Sequence, residues 1–79
     1  MWVDLSEHKR VGRVLAAPRQ EKNLSQEVLA ARLSKPQSFI SSYETGQRRI
    51  DVLELIRICQ ELRANPVEIF KRIAAHSRR

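Results

Sequence analysis

Two apolar-patterned segments stand too close together for anything but a turn between them, and this constrains the fold most. They occupy residues 24–46, LSQEVLAARLSKPQSFISSYETG. The first places Leu24, Val28, Leu29, Ala30 and Leu33 at helical spacing, and the second does so with Phe39, Ile40 and Tyr43. Ser25 is a suitable cap for the first helix, because its hydroxyl can accept from an otherwise unpaired N–H. Gly46 is suited to end the second in a left-handed conformation. Only a turn fits between Leu33 and Gln37. The segment therefore predicts a helix-turn-helix over about residues 25–46.

The flanking sequence extends the helical pattern. A first helix is expected from near Glu7 or Lys9 to Lys22, with Val11, Val14, Leu15 and Pro18 inward and Asn23 as a left-handed terminator. Pro18 removes a backbone hydrogen bond inside it, which predicts a kink or a late start. A fourth helix starts at Asp51, which with Glu54 has capping-box spacing. Its Val52, Leu55, Ile56, Ile58, Cys59 and Leu62 share about 160° of arc, and Leu53 lies outside it. Asn65, Pro66 and Glu68 repeat the start signal of cap, first-turn proline and acid. The fifth helix carries Val67, Ile69, Phe70, Ile73 and Ala74 over more than one face, which suits contact with a second subunit. The final HSRR is expected to fray.

Together these elements predict an all-α domain of five helices spanning residues 1–79, with its core within about 7–74. The expected core is Val14, Leu15, Leu29, Leu33, Ile40, Leu55, Cys59, Leu62 and Phe70. Seventy-nine residues suffice for one small helical bundle. Fifteen Lys and Arg against nine Asp and Glu leave a formal charge of +6, which suits a polyanionic partner. No apolar run approaches the roughly 20 residues of a membrane span. MWVDLSEHKR lacks the pattern of a signal peptide. The single cysteine, Cys59, cannot form an internal disulfide and reads as a small core residue. A cytoplasmic protein is expected.

The central segment resembles the helix-turn-helix of the phage Cro and lambda-repressor-like family, the Xre-type regulators. The resemblance rests on Arg19, Leu24, Ser25, Gln26, Leu29, Ala30, Ile40, Glu44 and Gly46 at the family's spacings. It extends through IDVLELIRICQELRANPVEIF, which is similar to the family's fourth helix and the start of its fifth. It covers roughly residues 10–70. The chain departs from the pattern at Ser34, where glycine is usual, at Pro36 in the cap position of the recognition helix, and at Pro18.

The resemblance implies a lambda-repressor-like DNA-binding domain, acting as a sequence-specific transcriptional regulator, a repressor, on double-stranded DNA. In such a domain the recognition helix, about Pro36 to Thr45, lies in the major groove. Gln37, Ser38 and Ser42 match the family's base-reading positions, and Ser41 shares their outward face. Gln can hold adenine through N6 and N7, and Ser can serve any base. Phe39 is large and apolar beside that face. The residues alone leave open whether it meets a thymine methyl or packs on the second helix.

Ser25 and Gln26 open the second helix, whose N–H groups suit a phosphate. Lys35, Gln47, Arg48 and Arg49 flank the recognition helix, where phosphate contacts set register without reading sequence. The resemblance also implies a structural ion pair between Arg19 and Glu44, tying the first helix to the end of the third.

A homodimer is expected, with no cofactor and no metal. Catalysis has no support: His8 and His76 lie near opposite ends, and there is neither a Gly-rich phosphate loop nor metal-ligand spacing. Two other readings of the resemblance stay open. One is the antitoxin of a toxin–antitoxin pair, with a toxin as protein partner. The other is a protein-interaction adaptor that has kept the fold without binding DNA.

Overall fold

The computed structural model describes residues 5–76. Within them lie five helices: α1 Leu5–Glu21, α2 Gln26–Arg32, α3 Gln37–Glu44, α4 Val52–Leu62 and α5 Pro66–His76. The architecture is the all-α, five-helix arrangement that the periodicity indicates. α1 packs against α3 and α5, α2 against α3 and α4, and α4 against α5.

Local signals explain where the helices begin. Ser25 Oγ accepts from the Val28 N–H and caps α2. Asp51 and Glu54 form a reciprocal capping box at α4: each side chain accepts from the other's backbone N–H. Asn65 Oδ1 accepts from the N–H of Val67 at 2.8 Å, and Pro66 occupies the first position of α5. Pro36 is the N-cap of α3 and offers no side-chain hydrogen bond. Its extended conformation is compatible with proline, and the helix forms without that cap.

Four helices end in one way. Asn23, Ser34, Gly46 and Arg63 each adopt a left-handed conformation after α1, α2, α3 and α4. At each site that residue's N–H donates to the carbonyl three residues back. The next residue's N–H reaches the carbonyl five residues back, as in Gln47 N to Ser42 O at 2.9 Å. This is the Schellman motif, which satisfies carbonyls the helix leaves unpaired. Ser34 therefore occupies a backbone conformation that glycine adopts at lower cost. Lys22 Nζ adds a second tie at the end of α4 by donating to the Leu62 and Arg63 carbonyls.

The buried core is Leu15, Leu29, Ala30, Ile40, Tyr43, Ile58, Cys59, Leu62 and Ile69. Val14, Leu33 and Leu55 pack on its edge. Two sequence expectations need correction. Phe70 is not in the core but 62% exposed, and Ile69 takes the inward place. Neighbours on a helix point about 100° apart, so the face of α5 that seats Ile69 turns Phe70 outward. The late start of α1 is also not found: the helix runs from Leu5 through Pro18 to Glu21. Pro18 is buried there. Only one intrahelical donor is lost, and the surrounding packing holds the helix together.

Two glycines set the distance between α1 and α3. A Cβ on Gly12 would lie 2.3 Å from the Tyr43 carbonyl oxygen and 2.5 Å from that of Glu44. A Cβ on Gly46 would lie 2.7 Å from the Lys9 nitrogen. The C-terminal end of α3 thus rests directly on the backbone of α1. No helix among the described residues is long and apolar enough to cross a membrane.

Candidate functional site

α3 has two unlike faces because its apolar residues fall at helical spacing. Ile40 and Tyr43 are buried beneath it. Gln37 and Ser38 are exposed, and Ser41 and Ser42 are half-buried. The four polar residues named from the sequence therefore share one helix whose opposite side is anchored in the core.

A line of side-chain hydrogen bonds joins this helix to α1 and α2. Arg19 donates from Nε to Glu44 Oε2 at 2.7 Å and from Nη2 to Glu44 Oε1 at 3.1 Å. Its Nη1 donates to the Leu24 carbonyl at 2.6 Å. Gln26 Nε2 donates to Glu44 Oε1 at 2.8 Å, and Gln37 Nε2 donates to Gln26 Oε1 at 2.6 Å. One carboxylate thus orients Gln26, and Gln26 orients Gln37. The Arg19 and Glu44 side chains are about nine-tenths buried, and the hydrogen bond to Glu44 pushes the Arg19 guanidinium pKa above its ordinary value. Such a two-bond fork fixes orientation as well as distance.

The cations beside α3 are arranged less simply. Arg48 forks onto Glu54, with Nη1 to Oε1 at 3.0 Å and Nη2 to Oε2 at 2.8 Å. Its guanidinium carbon also lies 4.6 Å from the centroid of the Phe39 ring. Lys35 Nζ is 5.5 Å from the same ring. These separations suit cation–π attraction. The Arg48 hydrogen bond, followed by the Asp51 backbone N–H, holds the Glu54 carboxyl below the ordinary glutamate range. Phe39 meets Tyr43 edge-on at 5.5 Å and packs on the core rather than standing free. Arg49, Gln47 and Lys35 are exposed. Ser25 is exposed, and its hydroxyl oxygen accepts from the Val28 N–H as the α2 cap.

Three roles in this region were not read from the sequence. Gly12 seats α3, Glu54 holds Arg48, and Phe39 gains a role as a platform for two cations. A glycine inside a helical pattern is a signal of close backbone approach. The pairing of Arg48 with Glu54 has no comparable signal, because it depends on the path of the chain between α3 and α4.

Among the described residues, no three His, Cys, Asp or Glu side chains are grouped to hold a metal ion. The Tyr43 hydroxyl is buried without a hydrogen-bond partner, and burial, then the neighbouring Glu44 charge, raises its pKa.

Known proteins resemble this chain in sequence and fold. A family described as Helix-turn-helix matches residues 15–69. The chain is 39% identical over 61 residues to the uncharacterized HTH-type transcriptional regulator y4dJ of Sinorhizobium fredii, covering 77% of this chain and 79% of that protein. An XRE-family-like protein from Pseudomonas syringae pv. tomato superposes with a TM-score of 0.79 at 30% identity, over 92% of this chain and 89% of that one. The restriction-modification controller protein C.AhdI of Aeromonas hydrophila gives 0.76 at 29% identity, over 82% and 98%. The clp gene regulator ClgR of Corynebacterium glutamicum shares the fold, with a TM-score of 0.83 at 19% identity over 91% and 94%.

Proposed function

Because the chain belongs to the XRE-type helix-turn-helix family of DNA-binding transcription regulators, we propose that it represses transcription by reading the major groove with α3. The observation that carries this reading is the braced polar face of α3. Gln37 is held by Gln26 at 2.6 Å, and Gln26 by Glu44 at 2.8 Å. A side chain ordered before binding loses less conformational freedom on meeting a base. Gln37 retains its carbonyl oxygen and a second N–H for the bidentate pattern that adenine presents.

Ser38, Ser41 and Ser42 complete the base-reading set. Ser25, Gln26, Lys35, Gln47, Arg48 and Arg49 surround it as the phosphate-contacting set. The chemistry is binding alone and calls for no cofactor. The protein acts in the cytoplasm, where its DNA is.

The active species is a homodimer. Val67 is 58% exposed and Phe70 62%, at the start of α5 and one turn along it, and Leu53 is 76% exposed at the first turn of α4. Large apolar side chains left outward on both helices favour a second copy against α5 and its corner with α4. Two recognition helices would then meet successive major grooves, about 34 Å apart.

The test is selection of bound sites from random duplexes, followed by titration against selected and scrambled DNA at several salt concentrations. A palindromic preference, and loss of about 1–3 kcal/mol on the selected site only for Gln37→Ala, is the expected result. Equal loss on both duplexes would remove Gln37 from the reading face. Binding to neither duplex by the wild type would favour the adaptor reading. A monomer mass with and without DNA would exclude the dimer.

A further inference from the structure

The basic residues are not confined to the α3 side. A cleft of about 310 Å³ between α1 and α5 is lined by Arg10, Arg13, Val14, Ala17 and Arg72. Its position follows from the helix period. Gly12 faces α3. At about 100° per residue, Arg10, Val14 and Ala17 lie roughly 140–200° round α1 from it, and Arg13 about 100°. The cleft therefore opens on a different face from the braced polar surface of α3.

Its chemistry is two-sided. Val14 and Ala17 supply apolar wall, and Arg10, Arg13 and Arg72 complete the lining. Arg10 Nε is buried with no hydrogen-bond partner. Arg10 Nη2 forms an ion pair with the Glu7 carboxylate at 3.8 Å, longer than a hydrogen bond, so its donors remain open to a second anion. The Arg13 side chain makes no hydrogen bond or ion pair among the described residues. Guanidinium forks match carboxylate and phosphate oxygens in geometry as well as charge. The volume lies at the small end of the roughly 300–1,000 Å³ typical of small-molecule sites.

We propose that this cleft binds a small amphipathic anion, a carboxylate or phosphate monoester carried on a short apolar chain. The anionic head meets Arg10 and Arg13, and the chain lies against Val14 and Ala17. The ligand leaves the α3 face open, so the proposal stands independently of the DNA reading.

The probes are octanoate and octyl phosphate, which separate the two head groups. Octanamide keeps the chain without the charge, and inorganic phosphate keeps an anion without the chain. Each is titrated into the ¹⁵N-labelled full chain and followed by amide and arginine Nε signals. Expected are saturable shifts centred on Arg10, Arg13, Val14, Ala17 and Arg72 for octanoate, octyl phosphate or both. Octanamide and inorganic phosphate should bind at least about tenfold more weakly. Joint replacement Arg10→Gln and Arg13→Gln should weaken binding by about tenfold or more. Ala17→Leu, which fills the cleft without changing charge, should weaken it as well.

Absence of saturable shifts with both amphipathic anions would overturn the proposal. So would octanamide or inorganic phosphate binding as tightly, or shifts centred on Lys35, Arg48 and Arg49. Unchanged binding in Ala17→Leu would place the ligand elsewhere and have the same consequence.

Discussion

Glu44, the last residue of α3, receives both arms of an Arg19 fork at 2.7 and 3.1 Å, from a residue of α1 that lies 25 positions earlier in the sequence. The same carboxylate accepts from Gln26 at 2.8 Å. It is therefore a structural tie and, through Gln26, the support of Gln37. Arg19→Ala would leave the Glu44 carboxylate largely buried without its cation. Losing one partner of a buried pair costs about 3–5 kcal/mol, and urea denaturation should show a loss of about that size. An unchanged midpoint would show that Glu44 finds a comparable partner.

Gly12 should tolerate no side chain. Its Cβ would lie 2.3 Å from the Tyr43 carbonyl, and backbone cannot move aside as a flexible side chain can. Gly12→Ala should destabilise by about 1–3 kcal/mol despite the better helix propensity of alanine. A thermal melt at or above that of the wild type would contradict this packing.

Tyr43 offers the opposite expectation. Its hydroxyl is buried and makes no hydrogen bond in the fold, whereas in the unfolded chain water satisfies it. Tyr43→Phe keeps the ring and its edge-on contact with Phe39 and removes the desolvated group. Stability should rise by about 1 kcal/mol. A fall in the denaturation midpoint would reveal a partner for the hydroxyl.

Glu54 should make stability sensitive to acid. Its folded pKa is depressed, mainly by the Arg48 hydrogen bond. The resulting stabilisation is fully present above the unfolded value of about 4.3 and is lost as pH falls through the folded value. The pair is surface-placed, so the effect should stay below about 1 kcal/mol. Denaturation of the wild type and Glu54→Gln between pH 7 and acid should show their difference shrinking in that window. A constant difference would count against the linkage.

The same pair bears on the proposed DNA contact. In the free protein Glu54 occupies the Arg48 fork that a phosphate would use. Glu54→Gln should therefore tighten binding to specific and scrambled duplexes alike. Lys35→Ala should weaken both and lower the salt slope by about one unit. If Glu54→Gln weakened binding, Glu54 would be orienting Arg48 for DNA rather than competing with it.

The sequence by itself determined the features decided within one or two helical turns. The capping box of Asp51 and Glu54, the Ser25 and Asn65 caps, and the left-handed stops at Asn23 and Gly46 lie within a few residues of the backbone they satisfy. Their physics is complete in a short segment. The apolar period likewise marks Ile40 and Tyr43 as inward, because α3 has only one apolar stripe. The resemblance named Arg19 with Glu44, a pairing that local spacing could not reach across 25 residues.

Tertiary structure decided the rest. α5 has apolar residues on more than one face, and only its docking on α1 and α4 chose Ile69 for the core and left Phe70 outside. Gly12 reads as a weak spot in a helix until α3 is laid on it. Phe39 and Arg48 are nine residues apart, and Glu54 lies beyond a turn, yet Arg48, in the segment between α3 and α4, covers the Phe39 ring and forks onto Glu54. Such choices depend on which surfaces approach one another, and a short stretch of sequence carries that information only when one face alone can be buried.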